Sequence, residues 1–302
     1  MATVYFDNQF IDESEARIPL TTHALHYGTA VFEGIRSYGD GRRALIFRAG
    51  DHYDRLLRTA ALLEMKVPHS SDQFIDLTVE LLKRNNFLDD RYIRPLIYKN
   101  AQKIGAGLPE GETVAILAQS MPHAPATRNA VRATWSHWRR FPAAACPAGA
   151  KITGLYVNSS LARADAIARG FDQPIMLTIS GDVSEGYGAN LFAVFGKRVV
   201  TPPPEADILP GITRDTLIQY FNSRTELTMS VETIKPELLQ NADEIFLCGT
   251  GMEILPVGGL EGTQIGDGKA AGPITSDAIT WYQKVVTGRI PEHSNWLTDV
   301  KP

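Results

Sequence analysis

The sequence predicts an α+β protein built from two domains, and three observations lead there. Its 302 residues, at roughly 150 per domain, give about two domains or one large one. Strand patterns and amphipathic helical patterns both occur but do not alternate strictly, which favours α+β over a doubly wound sheet. The stretch Met121-Pro-His-Ala-Pro-Ala-Thr-Arg128 carries two prolines and no periodicity, as suits a linker between domains. The expected division is a small α+β domain over 1–120, a linker over 121–130 and a larger domain over 131–302.

The elements follow from local pattern. Residues 3–6 and 9–11 flank Asp7-Asn8, and 35–38 and 44–47 flank a Gly-Asp-Gly turn, so both pairs read as hairpins. From Asp51 to Glu64, Leu56, Leu57, Ala60 and Leu63 recur at helical spacing, and Phe74, Ile75, Val79 and Leu82 repeat that pattern. Residues 92–98 and 113–118 read as strands. Beyond the linker, 133–138, 175–179, 191–195, 198–201 and 244–248 read as strands. Helices are expected over 156–169 (stopped by Gly170), 213–221 and 276–286.

Composition narrows the class of protein. The chain is 44% hydrophobic and 21% charged, enough apolar matter for a sizeable core and too little charge for disorder. Thirty basic against thirty-four acidic residues give a net charge of −4, which supplies no basic face for nucleic acid or an anionic membrane. No apolar run reaches the roughly 18 residues of a membrane span, and the first residues lack signal-peptide order. Cys146 and Cys248 form no CxxC pair, so a reducing, cytoplasmic setting is expected, without a structural metal. Gly249-Thr-Gly251 opens like a dinucleotide fingerprint, but Ile254 stands where the third glycine belongs. There is no GxxxxGK[ST], HExxH or GxSxG.

Lys151 is the most unusual residue. It is the only formal charge between Phe141 and Ala162. A lysine in apolar surroundings loses hydration of its ammonium, which favours the nucleophilic amine that a Schiff base needs. A solvated loop lysine fits the same stretch, and the residues alone leave both readings open. Leu209-Pro-Gly-Ile-Thr-Arg214 precedes a helical pattern, so the amides of Ile212 and Thr213 could meet a phosphate or simply start a capped helix. Cys248-Gly-Thr-Gly251 ends a strand in a small-residue turn that could offer Thr250 and its amides to a second phosphate edge, or be a plain turn. In Ser184-Glu-Gly-Tyr-Gly188, Glu185 could face a pyridine nitrogen and strengthen an electron-sink cofactor. Amine, phosphate grip and carboxylate together point to pyridoxal 5′-phosphate (PLP).

With these residues in place, the chain resembles the fold-type IV PLP enzymes, and among them the branched-chain amino acid aminotransferases. The resemblance rests on His23-Ala-Leu-His-Tyr-Gly-Thr29, Val31-Phe-Glu-Gly-Ile-Arg36, Tyr92-Ile-Arg-Pro-Leu96, Gly149-Ala-Lys151, Ser184-Glu-Gly186 with Asn190-Leu-Phe192, and Leu209-Pro-Gly-Ile-Thr-Arg214. It implies that 131–302 is a PLP-binding domain and that Lys151 forms the Schiff base and moves the proton between substrate Cα and cofactor. It further implies Glu185 at the pyridine nitrogen, Tyr156 near the phenolic oxygen, and Arg55, Ile212, Thr213 and Thr250 at the phosphate. For substrate it implies Tyr27, Phe32, Gly34, Arg36 and Arg94 around the side chain, Gly251 at the α-carboxylate, and the loop at Ala106 arriving from a second subunit of a homodimer. The implied reaction moves the amino group of L-leucine, L-isoleucine or L-valine onto 2-oxoglutarate.

The sequence departs from the common pattern where substrate selectivity is concerned. Ala106 stands where valine is common and Gly251 replaces an alanine; Ala189 occupies a position often held by glutamate, and Ile152-Thr-Gly-Leu differs from Ala-Gly-Gly-Asn. Smaller residues could admit bulkier donors. The rival readings are a D-amino acid or (R)-amine transaminase, an aminodeoxychorismate lyase, and, from another class, a non-catalytic PLP or metabolite binder.

Overall fold

The structure is a computed structural model and describes residues 2–301. Two compact units are present. One comprises Met1–His123, Lys151–Leu155 and Lys284–Pro302; the other comprises Ala124–Ala150 and Tyr156–Gln283. Neither is one continuous segment. Five residues starting at Lys151, and the stretch from Lys284 onward, group with the first unit and not with the larger domain expected over 131–302. Hydrogen bonding is the reason in both places. The amide of Phe32 donates to the Lys151 carbonyl (3.1 Å), and the strand Leu297–Val300 pairs antiparallel with Ala44–Phe47.

The first unit holds an antiparallel sheet of eight strands among the described residues. Its longest ladder joins Arg91–Lys99 to Glu112–Ser120 in unbroken register from Arg91↔Ser120 to Lys99↔Glu112. The strand Arg91–Lys99 also receives Ala30–Phe32 and Ile35–Gly39 on its other edge, so Phe32, Gly34, Arg36 and Arg94 are brought to one neighbourhood by sheet register. The helix Ala49–Leu62 buries Tyr53, Leu56 and Ala60. Ser71–Arg84 starts at a capping box formed by Ser70 and Gln73, which satisfies two otherwise unpaired amides. The helices meet where Tyr53 stacks on Phe74 with ring centroids 5.0 Å apart.

The second unit holds a mixed sheet of nine strands among the described residues. Asn190–Phe195, Glu244–Gly249 and Glu253–Leu260 run antiparallel side by side, whereas Val131–Trp135 lies parallel to both of its neighbours. The strands expected over 133–138 and 175–179 each start two residues earlier, at Val131–Trp135 and Gln173–Leu177. Leu191, Ala193, Ile245, Leu247, Leu255 and Val257 face a common apolar core. On another face Phe192 stacks on Phe246 at 5.0 Å and meets Phe221 of the helix Ile212–Asn222. No helix among the described residues is long and apolar enough to cross a membrane.

Candidate active site

Lys151 is placed by a close approach of two backbones within the first unit. Val31 bridges to Ile152, the hydroxyl of Thr153 donates to the Gly28 carbonyl (2.9 Å), and the Gly154 amide donates to the same carbonyl (3.2 Å). Gly28 has φ +63°, and a Cβ there would stand 2.6 Å from the Cα of Gly154. Only glycine satisfies both the turn and the contact. The Lys151 Nζ then lies 4.8 Å from the centre of the Phe32 ring.

The Phe32 ring is shared. The Arg94 guanidinium lies 4.5 Å from the ring centre and donates to the Tyr92 hydroxyl (2.9 Å). That hydroxyl occupies the space a side chain at Gly34 would need, since a Cβ there would come within 2.0 Å of it. Phe32, Gly34, Tyr92, Arg94 and Lys151 thus form one cluster, in which an amine and a guanidinium share one apolar ring. Arg36 is 1% exposed; it donates to the Met121 carbonyl (2.7 Å) and its guanidinium lies 5.0 Å from the Tyr38 ring centre.

Beside this cluster lies a buried ionic group. Glu33 is enclosed and accepts from Arg55 through Nε (2.6 Å) and Nη2 (2.8 Å), and from His52 Nδ1 (2.8 Å). Burial alone would raise the Glu33 carboxyl, but Arg55 and His52 outweigh it and hold the group well below the usual carboxylate range. Burial pushes His52 below its ordinary value against the pull of Glu33, and the charges of Arg55 and Lys151 add to that push.

Tyr27 and the Ala106 loop belong together. The Tyr27 hydroxyl accepts from the Gly105 amide (2.7 Å), its ring packs on His23 at 4.6 Å, and His23 Nε2 bonds to the Gly105 carbonyl (3.2 Å). Tyr27 and Ala106 are both exposed.

In the second unit, Glu185 is 4% exposed within the short strand Val183–Gly186. One carboxylate oxygen faces Arg140 (2.9 Å); the other accepts from the Asn190 amide (2.9 Å) and the Leu209 backbone amide (3.2 Å). Asn190 also donates to the Leu209 carbonyl (2.8 Å), and its side-chain oxygen fills the space beside Gly211, where a Cβ would come within 2.0 Å. The buried carboxylate and the start of the helix Ile212–Asn222 are therefore built on one frame. The residue before that helix, Gly211, provides no side-chain cap, so Ile212 and Thr213 open the helix with its positive dipole end. Thr250 and Gly251 form the tip of the turn between Glu244–Gly249 and Glu253–Leu260. Tyr156 opens the helix Tyr156–Ala168 and is partly buried.

Glu33, His52, Tyr92, Arg140 and Asn190 were not singled out as site residues by sequence reasoning. Glu33, Tyr92 and Asn190 sit inside motifs quoted above, so a signal was present. His52 and Arg140 had none, because each acts on a partner distant in sequence.

The chain as a whole is similar to known proteins. The profile of the amino-transferase class IV family matches residues 30–260. A probable branched-chain-amino-acid aminotransferase of Aquifex aeolicus is 35% identical over 99% of this chain and 97% of its own length. Among solved structures, the branched-chain aminotransferase of Thermoproteus uzoniensis with norvaline shares 37% identity and superimposes with a TM-score of 0.92 over 99% of each chain. A T.th. branched-chain amino acid aminotransferase complexed with N-(5′-phosphopyridoxyl)-L-glutamate shares 34% identity with a TM-score of 0.91 over 98% of each chain. By sequence and by fold, the chain belongs to the class IV aminotransferases.

Proposed function

We propose that the chain transfers the amino group of L-leucine, L-isoleucine or L-valine to 2-oxoglutarate with PLP, giving the branched-chain 2-oxo acid and L-glutamate. The observation that carries this reading is the approach of both the Lys151 amine and the Arg94 guanidinium to the Phe32 ring, at 4.8 and 4.5 Å from its centre. An aliphatic side chain suits the ring; a distal carboxylate suits the guanidinium. One pocket wall then answers both partners of the exchange. The names of the relatives above, and the glutamate adduct in one of them, support the same pair of substrates.

The residues present fit PLP on their donor chemistry: a primary amine, a buried carboxylate and a helix start with no side-chain cap at Gly211, where a Cβ would come within 2.0 Å of Asn190. When bound, PLP supplies the electron sink for loss of the substrate Cα proton. Lys151 would hold it covalently and then carry the proton to and from Cα as general base and acid. Glu185 would hold a proton at the ring nitrogen, with Arg140 and Asn190 fixing the carboxylate. Arg55, oriented by Glu33, would join Ile212, Thr213 and Thr250 at the phosphate, and Tyr156 would face the phenolic oxygen. Gly251 would offer its amide to the substrate α-carboxylate, and Gly34 and Arg36 would complete the side-chain wall.

The proposal extends to a cytoplasmic homodimer in which Ala106, together with Tyr27, reaches the partner's site. Leu20 (87% exposed), Leu25 and Ile104 support it as apolar residues open to water in segments joined by the Thr22↔Gln102 bridge. Light scattering should give twice the chain mass.

The deciding experiment is the visible spectrum of the purified protein. A yellow band that bleaches with L-leucine and returns with 2-oxoglutarate is the expected result. A yellow protein unmoved by L-leucine would overturn the donor class, and a protein that takes up no PLP would overturn the cofactor.

A further inference from the structure

The linker expected over 121–130 is bonded to a turn of the proposed site. Arg128 is half-buried, and its Nη1 donates to the carbonyls of Met252 (2.6 Å) and Ile254 (3.2 Å). The residue between them, Glu253, is buried and holds a left-handed φ of +58°, a conformation that side chains adopt only when neighbours impose it. Its carboxylate accepts from the Ala124 amide (3.1 Å). The linker thus grips the turn at three points: two carbonyls and one carboxylate.

We propose that Arg128 and Glu253 are positioning residues that set the conformation of the Thr250-Gly251 tip, and so the affinity for the α-carboxylate common to every substrate. This rests on the reading that Gly251 meets that carboxylate. The tip carries glycine at 249 and 251 and has little conformational preference of its own. Gly251 is exposed, so packing does not hold it. The guanidinium fixes the carbonyls on both sides of Glu253, and the left-handed residue then turns the chain into the tip in one direction. A carboxylate bound by backbone amides is sensitive to such pre-organisation, since a tip that must order on binding weakens it.

The test uses the PLP-loaded enzyme and 4-methylpentanoate, which is leucine without its amino group and cannot react. Calorimetry should show its Kd rising about 5- to 20-fold in Arg128→Met and in Glu253→Gln. KM for leucine and 2-oxoglutarate should rise together while kcat changes less than about threefold. Arg128→Lys, too short to span both carbonyls, should fall between wild type and Arg128→Met, and it serves if the latter does not fold. An unchanged Kd with a lowered Tm would reduce both residues to supports of the fold and overturn the inference. Gly251→Pro, which removes the amide itself, separates the two claims. If it leaves Kd unchanged, the carboxylate reading fails. If it raises Kd while the Arg128 variants do not, only the positioning role fails.

Discussion

Glu33 and Arg55 form a buried two-point ion pair, with bonds of 2.6 and 2.8 Å and exposures of 0% and 7%. A carboxylate and a guanidinium so enclosed depend on each other, because either alone would be a buried uncompensated charge. Glu33→Gln should therefore lower the stability of the apoprotein by about 3–5 kcal/mol, measured by urea denaturation. PLP should also dissociate more readily, because Arg55 loses its orientation. A stability change near zero would show that Arg55 finds another partner.

The same group makes stability depend on pH with a definite sign. The Glu33 carboxyl is held below its ordinary 4.5 and His52 below its ordinary 6.5, so the unfolded chain binds more protons than the folded one below those values. Stability from both groups is present above about pH 6.5 and is lost as pH falls, first as His52 titrates in the unfolded chain and then Glu33. Melting temperature across pH 8 to 4 should decline in these two stages. In His52→Gln the upper stage should be smaller; an undiminished one would assign it elsewhere.

Arg94 and Arg36 differ in setting, and their removal should differ in effect. Arg94 lies over Phe32, so Arg94→Ala should raise KM for 2-oxoglutarate by about 10- to 100-fold, the value of a charge-assisted bond, and raise that for leucine far less. Arg36 is tied to the Met121 carbonyl, and Arg36→Ala should also lower stability. Equal losses for both substrates in Arg94→Ala would give that residue a general structural role.

Gly28→Ala tests how Lys151 is delivered. An alanine must adopt the left-handed φ, at about 1–2 kcal/mol, and its methyl meets the Gly154 backbone at 2.6 Å. The segment Lys151–Leu155 must move away, so the rate of covalent PLP capture at Lys151, followed by borohydride trapping and mass spectrometry, should fall at least tenfold. Lys151→Ala should abolish turnover while PLP still binds through its phosphate. Measurable turnover in that variant would remove the lysine from its role.

How much of this was legible in the sequence depends on where each signal lies. The hairpins at Asp7-Asn8 and Gly39-Asp-Gly41 were plain because turn residues and flanking apolar runs are neighbours in sequence. The strand Glu253–Leu260 was not read, since Pro256, Gly258 and Gly259 argue against a strand. It exists because it pairs on both edges, and Gly258 permits the close passage of Gly268. Lys151 was conspicuous by its isolation among apolar residues. What could not be read was its company. The bonds of Lys151–Leu155 to residues 28–32, and of Arg140 to Glu185, join positions far apart in sequence, and no local pattern encodes them.

The pairing of Leu297–Val300 with Ala44–Phe47 sets a schedule for synthesis on the ribosome. The edge of the first sheet formed by Ala44–Phe47 stays open until some 250 later residues have been translated, about 12 to 50 seconds at 5–20 residues per second. For that interval Leu45, Ile46 and Phe47, buried in the finished protein, lie on an unpaired strand edge of the kind that recruits other chains. The nascent chain thus has a window of vulnerability to aggregation that closes only when the strand Leu297–Val300 emerges.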